Sequence, residues 1–226
     1  MRTLTTSFFL MSLTAVSGWA SNCLVIDDFS SGAIRSALRE PGTMLGGVRG
    51  TSSEIVPNGN PFFQPVELDI DDPPEAGVPL VVTTGLITGW RLEYGVDSSF
   101  LFKPLNYVAT DCDRFRATFN SASRTLNFNI LVFYTALGHN AVDGLNLDAS
   151  PFSSPFCVDF PFSNFTPGIP GDTPDFATKP ILLVDFVFQS GSAIGGNEFA
   201  VTKIETLDAA TAGAHPCALV APPLGS

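Results

Sequence analysis

The spacing most suggestive of chemistry in this chain is Glu67-Leu68-Asp69-Ile70-Asp71, three carboxylates set two residues apart. On a strand, alternate residues project from one face, so Glu67, Asp69 and Asp71 would share a face while Leu68 and Ile70 pack into the other. Retaining glycoside hydrolysis needs two carboxyls about 5–5.5 Å apart, one as nucleophile and one as acid, and alternate strand positions nearly supply that distance. The competing reading is an edge strand with a solvated acidic face. It runs straight into Asp71-Asp72-Pro73-Pro74, where proline ends the ladder. The residues favour this second reading. Sugar clefts use several aromatic platforms, and beyond Trp19 the only tryptophan is Trp90. No catalytic residue is therefore assigned.

Two further constellations could hold a ligand. Asp27 and Asp28, joined by Glu205 or Glu198 from the other end of the chain, offer the hard oxygen donors that calcium takes, although no EF-hand loop is present. The arrangement without a metal has Asp28 capping a turn and Asp27 facing water. Trp90 and Tyr94, with Tyr107 and the Phe100/Phe102 loop, are candidate stacking platforms for a sugar. Arg91, Asn127 and Asn129 would be their hydrogen-bonding neighbours, and core packing is the alternative for the alternating aromatics. His139 and His215 have no companion nucleophile motif. Gly46-Gly47 and Gly195-Gly196 open no helix and are not phosphate loops. Asn164-Phe165-Thr166 matches a glycosylation acceptor.

The elements that must position these residues read as strands. Arg2, the apolar run Phe8 to Val16 and the small residues Gly18 and Ala20 have the pattern of a cleaved export leader over residues 1–20, too short in its apolar part to span a bilayer. Residues 21–208 then suit one β domain, followed by an Ala/Pro-rich tail over 209–226, expected to be held mainly through Cys217. The whole chain has 226 residues with 22 acidic and 11 basic side chains, a net charge of −11. Such a surface repels phosphate backbones and argues against nucleic acid as a partner. Cys23, Cys112, Cys157 and Cys217 form an even set with no C-x-x-C pair, which in an exported chain predicts two disulfides rather than zinc. Of three possible pairings, Cys23 with Cys217 and Cys112 with Cys157 is favoured, because the first two flank the outermost strands.

Strands are expected over 23–29, 43–52, 65–70, 79–84, 87–95, 156–162, 181–189 and 199–206, with a helical turn over 31–39 and no convincing helix after residue 50. The clearest pattern is Phe115, Ala117 and Phe119 alternating with polar residues, then Leu126, Phe128, Ile130 and Val132 doing the same. It predicts an antiparallel hairpin turning at Asn120 to Ser123. Short strands separated by Gly/Pro-rich turns make an all-β, two-sheet antiparallel jelly-roll sandwich the expected fold, with the first and last strands adjacent. Its core would be phenylalanine, of which the chain has 20.

At this point the ends of the domain carry a resemblance. Ile26-Asp27-Asp28-Phe29, Gly46-Gly47-Val48-Arg49 and Phe199-Ala200-Val201-Thr202-Lys203-Ile204 resemble a loosely defined group of secreted bacterial jelly-roll proteins, many of which carry a PEP-CTERM sorting tail. More distantly, the layout is similar to carbohydrate-binding modules of the galactose-binding-like fold. The likeness spans residues 24–206 through short motifs. No Pro-Glu-Pro motif closes this sequence, so the resemblance implies free secretion or a periplasmic location rather than retention. The modules also imply a structural calcium near the terminal strands, where Asp27, Asp28 and Glu205 lie. Separately, the Glu67–Asp71 strand resembles that of laminarinase-type jelly-roll glycosidases. This implies Glu67 as nucleophile and Asp69 as its helper, but Asp71 stands where that family has an acid/base Glu one methylene longer.

The function read from these features is an exported, non-catalytic binding or surface-associated module, with extracellular carbohydrate or a surface protein as its partner and no membrane span in the mature chain. The alternatives are a structural or matrix protein making only protein contacts and, third, a diverged laminarinase-like glycoside hydrolase.

Overall fold

The computed structural model describes residues 22–30, 39–55, 67–70, 79–83, 88–99, 101–122, 126–134, 140–147, 155–190, 197–217 and 219–222, within some strands the backbone alone. They form a jelly-roll β-sandwich of two seven-stranded sheets. Sheet A is ordered β14 (Leu219–Val220), β10 (Phe156–Pro161), β7 (Arg114–Ala122), β13 (Asn197–Leu207), β5 (Pro79–Thr83) and β4 (Glu67–Ile70), with β1 (Val25–Asp27) also pairing β13. Sheet B is ordered β11 (Thr166–Pro167), β9 (Asn140–Leu147), β8 (Leu126–Phe133), β12 (Leu183–Ser190), β6 (Thr88–Tyr94), β3 (Val48–Ile55) and β2 (Arg39–Pro41). Pairing is antiparallel except between β10 and β14. As the sequence predicted, β1 lies beside the closing long strand, Val25 opposite Glu205 and Asp27 opposite Ile204.

Phenylalanines from both sheets fill the interior. Phe128 of sheet B stacks on Phe188 with ring centroids 4.5 Å apart and meets Phe160 and Phe119 of sheet A edge-on at 4.8 and 5.6 Å. Offset and edge-to-face contacts let the ring quadrupoles attract while burying large apolar area. All four rings are essentially inaccessible to solvent.

Three expectations need correction. The residues of the predicted hairpin form β7 and β8, but these strands lie in opposite sheets; β7 pairs β10 and β13, while β8 pairs β9 and β12. Alternation reports that one face of a strand is buried and says nothing about which strand lies beside it. The two strands therefore face each other across the core, where Phe119 meets Phe128. Second, β9 is a strand where the sequence reading has none, with Asp143-Gly144 in its centre. Third, the C-terminal segment is structured: helix α1 (Ala209–Ala214) is capped by Asp208, whose carboxylate accepts from the Thr211 N–H at 2.7 Å, and β14 follows it. The helical turn expected over 31–39 falls outside the described residues except for Arg39, which opens β2.

The disulfides are Cys23–Cys112 and Cys157–Cys217, not the favoured Cys23–Cys217 and Cys112–Cys157. The chain leaving the N-terminal end of β1 meets the loop before β7, where the Tyr107 hydroxyl donates to Asn22 O at 3.0 Å and contacts Thr206 Oγ1 at 2.7 Å. Cys217 instead runs beside β10, which carries Cys157. Each bridge closes a long loop, of 89 and 60 residues in sequence separation. In loop-entropy terms each stabilises the fold by roughly 4–5 kcal/mol.

Candidate functional site

The proposed calcium ligands do not converge. Asp27 is buried and engaged: Arg49 Nε and Nη2 donate to its two oxygens at 2.6 and 2.8 Å, the Tyr94 hydroxyl donates at 2.7 Å, and the Phe29 N–H donates at 2.7 Å. Arg49 is itself fully buried and lies over the Phe29 ring. A carboxylate so surrounded is a structural counter-ion, not a free metal donor. Asp28 is exposed and closes a turn onto the Ser30 N–H and hydroxyl, which holds its carboxyl below the usual range. Glu205 lies on the opposite face of β13 from Ile204, the partner of Asp27, and pairs with Lys203 at 2.9 Å. Among the described residues no cluster of three or more His, Cys, Asp or Glu could hold a metal.

The acidic strand falls on β4, at the edge of sheet A; the backbone of Glu67 and Asp69 is described, while their side chains and Asp71 lie outside the described residues. Of the proposed platforms, Tyr94 is a correction. It is fully buried and bonded to Asp27, with burial and then the Asp27 charge pushing its phenol well above the ordinary value. Tyr107 is also buried and tied to Thr206. The Trp90 backbone pairs with Phe188, and its side chain lies outside the described residues, as do Phe100 and His139. Phe102 is 56% exposed. Asn164 donates from its side-chain amide to Ala221 O at 2.7 Å, so the acceptor nitrogen of the glycosylation motif is engaged in the folded chain.

The face opposite Tyr94 is where polar groups collect. The register of sheet B sets Arg91 of β6, Val187 of β12, Asn129 of β8 and Gly144 of β9 in one row across four strands. Adjacent rows carry Glu93, Asp185, Leu131 and Val142 on one side and Asn127 on the other. Phe128, Ile130, Val184 and Phe186 point inward and are buried, whereas Asn127, Asn129, Leu131 and Val187 are half-buried on the outer surface. Strand alternation alone produces this division. Gly144 has a specific reason to lack a side chain, since a Cβ there would collide with the Asn129 amide. Asn129 thus lies flat over β9.

Arg91 is held in this row by Asp185, 3.4 Å from Nη1, with the arginine side chain 44% exposed and the carboxylate 3% exposed. The sequence reading had Arg91 as a neighbour and missed Asp185. Its signal was a lone carboxylate inside the apolar run Leu182 to Phe188, at a position whose neighbours alternate inward.

No protein-family model and no curated protein matches this chain. Among solved structures it is similar to the family 11 carbohydrate-binding module of the cellulosomal cellulase Lic26A-Cel5E of Clostridium thermocellum, at 16% identity over 84% of this chain and 97% of that one, with a TM-score of 0.44. It is also similar to the agarase AgWH50C, at 11% identity over 83% of this chain but only 24% of that one, with a TM-score of 0.45. None of these likenesses is close enough to transfer a ligand or an activity.

Proposed function

We propose that this chain is an exported, non-catalytic binding module that holds a neutral glycan on the outer face of sheet B. The observation that carries the reading is Arg91, whose guanidinium is paired with the buried Asp185 at 3.4 Å while its side chain stays 44% exposed. A planar donor fork already oriented loses little rotamer freedom on binding, which suits recognition of adjacent hydroxyls. Asn129 lies two strand spacings away, about 9–10 Å, with Val187 between them to meet the apolar C–H face of a sugar ring. The net charge of −11 opposes a polyanionic ligand. Export is supported by the leader pattern and by two disulfides, which persist in oxidising compartments. Among the described residues no helix is long and apolar enough to cross a membrane.

A structural role through protein contacts is the second reading. It is favoured by Leu101 and Phe102, 64% and 56% exposed on a turn whose backbone Asp97 pins through the Ser99 and Leu101 N–H groups. The test is a neutral-glycan array probed with the intact protein, then Arg91→Ala and Asn129→Ala against the best binder. Binding that weakens at least tenfold in both variants, at unchanged melting temperature, supports the glycan reading. A silent array together with self-association moves the function to protein contacts.

A further inference from the structure

On the opposite side of the molecule the outer face of sheet A carries a groove of ≈ 700 Å³ beneath the C-terminal segment. We propose that this groove is a separate site for a neutral sugar, read through a pair of vicinal hydroxyls by Lys203 and Glu205. The inference goes beyond the face of sheet B, since it lies on the other sheet and shares no residue with it.

The floor of the groove is built in two rows by the register of β10, β7 and β13. Cys157, Thr118 and Lys203 form one, and Asp159, Arg116 and Glu205 the other. In the second row Arg116 donates through Nε and Nη2 to Asp159 at 2.6 and 2.9 Å, and its Nη1 donates to His215 O at 2.7 Å. That bond and the Cys157–Cys217 bridge fix the wall formed by His215 and Pro216. The wall is fixed further on, where the Ala221 N–H donates to Asp159 O at 2.8 Å. The site is therefore shaped before any ligand arrives, which lowers the ordering cost of binding.

The chemistry of the floor selects the ligand. Arg116 is matched by Asp159 and Lys203 by Glu205, so the two ion pairs cancel and the floor favours an uncharged guest. Lys203 Nζ and Glu205 Oε2 are 2.9 Å apart, with the ammonium-bearing side chain 40% exposed and the glutamate 12% exposed. That is about the separation of two vicinal hydroxyl oxygens on a pyranose. One hydroxyl can then accept from the ammonium while its neighbour donates to the carboxylate, and both bonds are charge-assisted. Pro155 and Pro216 supply rigid apolar borders for the ring's C–H faces. The volume lies within the usual range for small-molecule sites.

The test is amide chemical-shift mapping on the intact, oxidised protein with the methyl glycosides of glucose, galactose, mannose and xylose as probes. At least one probe is expected to shift Thr118, Lys203, Glu205 and His215, with affinity falling tenfold or more in Glu205→Gln and in Lys203→Met. Lys203 is exposed enough for its variant to report even if Glu205→Gln fails to fold. No groove shift with any of the four, or shifts indifferent to both substitutions, overturns the inference. The two sites fail separately: a silent groove leaves the sheet B reading standing, and groove binding without any response at Arg91 or Asn129 sinks that reading alone.

Discussion

Each outer face of the sandwich carries an arginine–aspartate pair, and the two pairs differ in what surrounds them. On sheet A both partners are buried, Arg116 at 6% and Asp159 at 3% exposure, and the pair is completed by Arg114 and by the backbone of His215. On sheet B the carboxylate of Asp185 is equally buried while Arg91 is 44% exposed. The same two residue types thus do different work. Where both partners are enclosed, the pair anchors the C-terminal segment to the sheet; where one opens to water, it presents an oriented donor. Enclosure of the cation, not its chemical type, separates a strut from a binding group.

Removing one member of the enclosed pair gives the largest expected effect. Asp159→Ala leaves the buried Arg116 without its carboxylate, while Arg114 keeps Asp113, and should cost about 3–5 kcal/mol, read as a lowered denaturation midpoint. A loss under 1 kcal/mol, the usual range for an exposed pair, would erase the distinction between the two faces. Next comes the covalent support of the same segment. Cys157→Ser with Cys217→Ser should destabilise by roughly 2–5 kcal/mol and raise hydrogen exchange in β14, β10 and α1 before the rest of the sandwich. Uniform exchange across both sheets would show that the segment is not a separate strap.

A smaller effect is expected from the carboxyl buried on the inner side of sheet B. Asp143 is inaccessible, Oδ1 accepts from the Gly144 N–H at 2.8 Å and Oδ2 has no hydrogen-bond partner. Burial raises its pKa to about 6, partly offset by that N–H. Because the folded value is raised, the stabilisation is complete below the unfolded value near 3.8 and is lost as pH rises through about 6. The loss across that window is on the order of 2–3 kcal/mol. Asp143→Asn should therefore flatten the melting-temperature profile between these pH values and raise the melting temperature at neutral pH. A variant whose profile keeps the wild-type slope would show that Asp143 is not the group responsible. The smallest stability effect belongs to the open face: Arg91 is 44% exposed, water can replace it over Asp185, and Arg91→Ala should cost no more than about 1 kcal/mol.

The contrast between the faces also marks what could be read in advance. The strand-rich sandwich, the meeting of β1 with β13 and the phenylalanine core follow from alternation and spacing, because burial of one face leaves a period of two in the residues themselves. Which face is inner does not. Tyr94, a candidate platform by its chemistry, shares a side of β6 with Leu92, and both face the core. The polar alternates Arg91 and Glu93 therefore hold the outer surface. Pairing across space is equally silent in one dimension. The placement of β7 and β8 in opposite sheets, the pairing of Cys23 with Cys112, and the engagement of Asp27 by Arg49 each depend on residues brought together by the fold. Asp143-Gly144, a dipeptide typical of turns, lies here inside β9, where Asn129 occupies the space of the missing side chain.

The most direct test of the account is amide chemical-shift mapping with the neutral oligosaccharide that binds best on an array. The account predicts a contiguous set of shifts at Arg91, Asn127, Asn129, Val187 and their neighbours on β6, β8 and β12, abolished by Arg91→Ala. Shifts confined to the Leu101–Phe102 turn, or a sheet B face that stays unmoved by every neutral glycan, would contradict it.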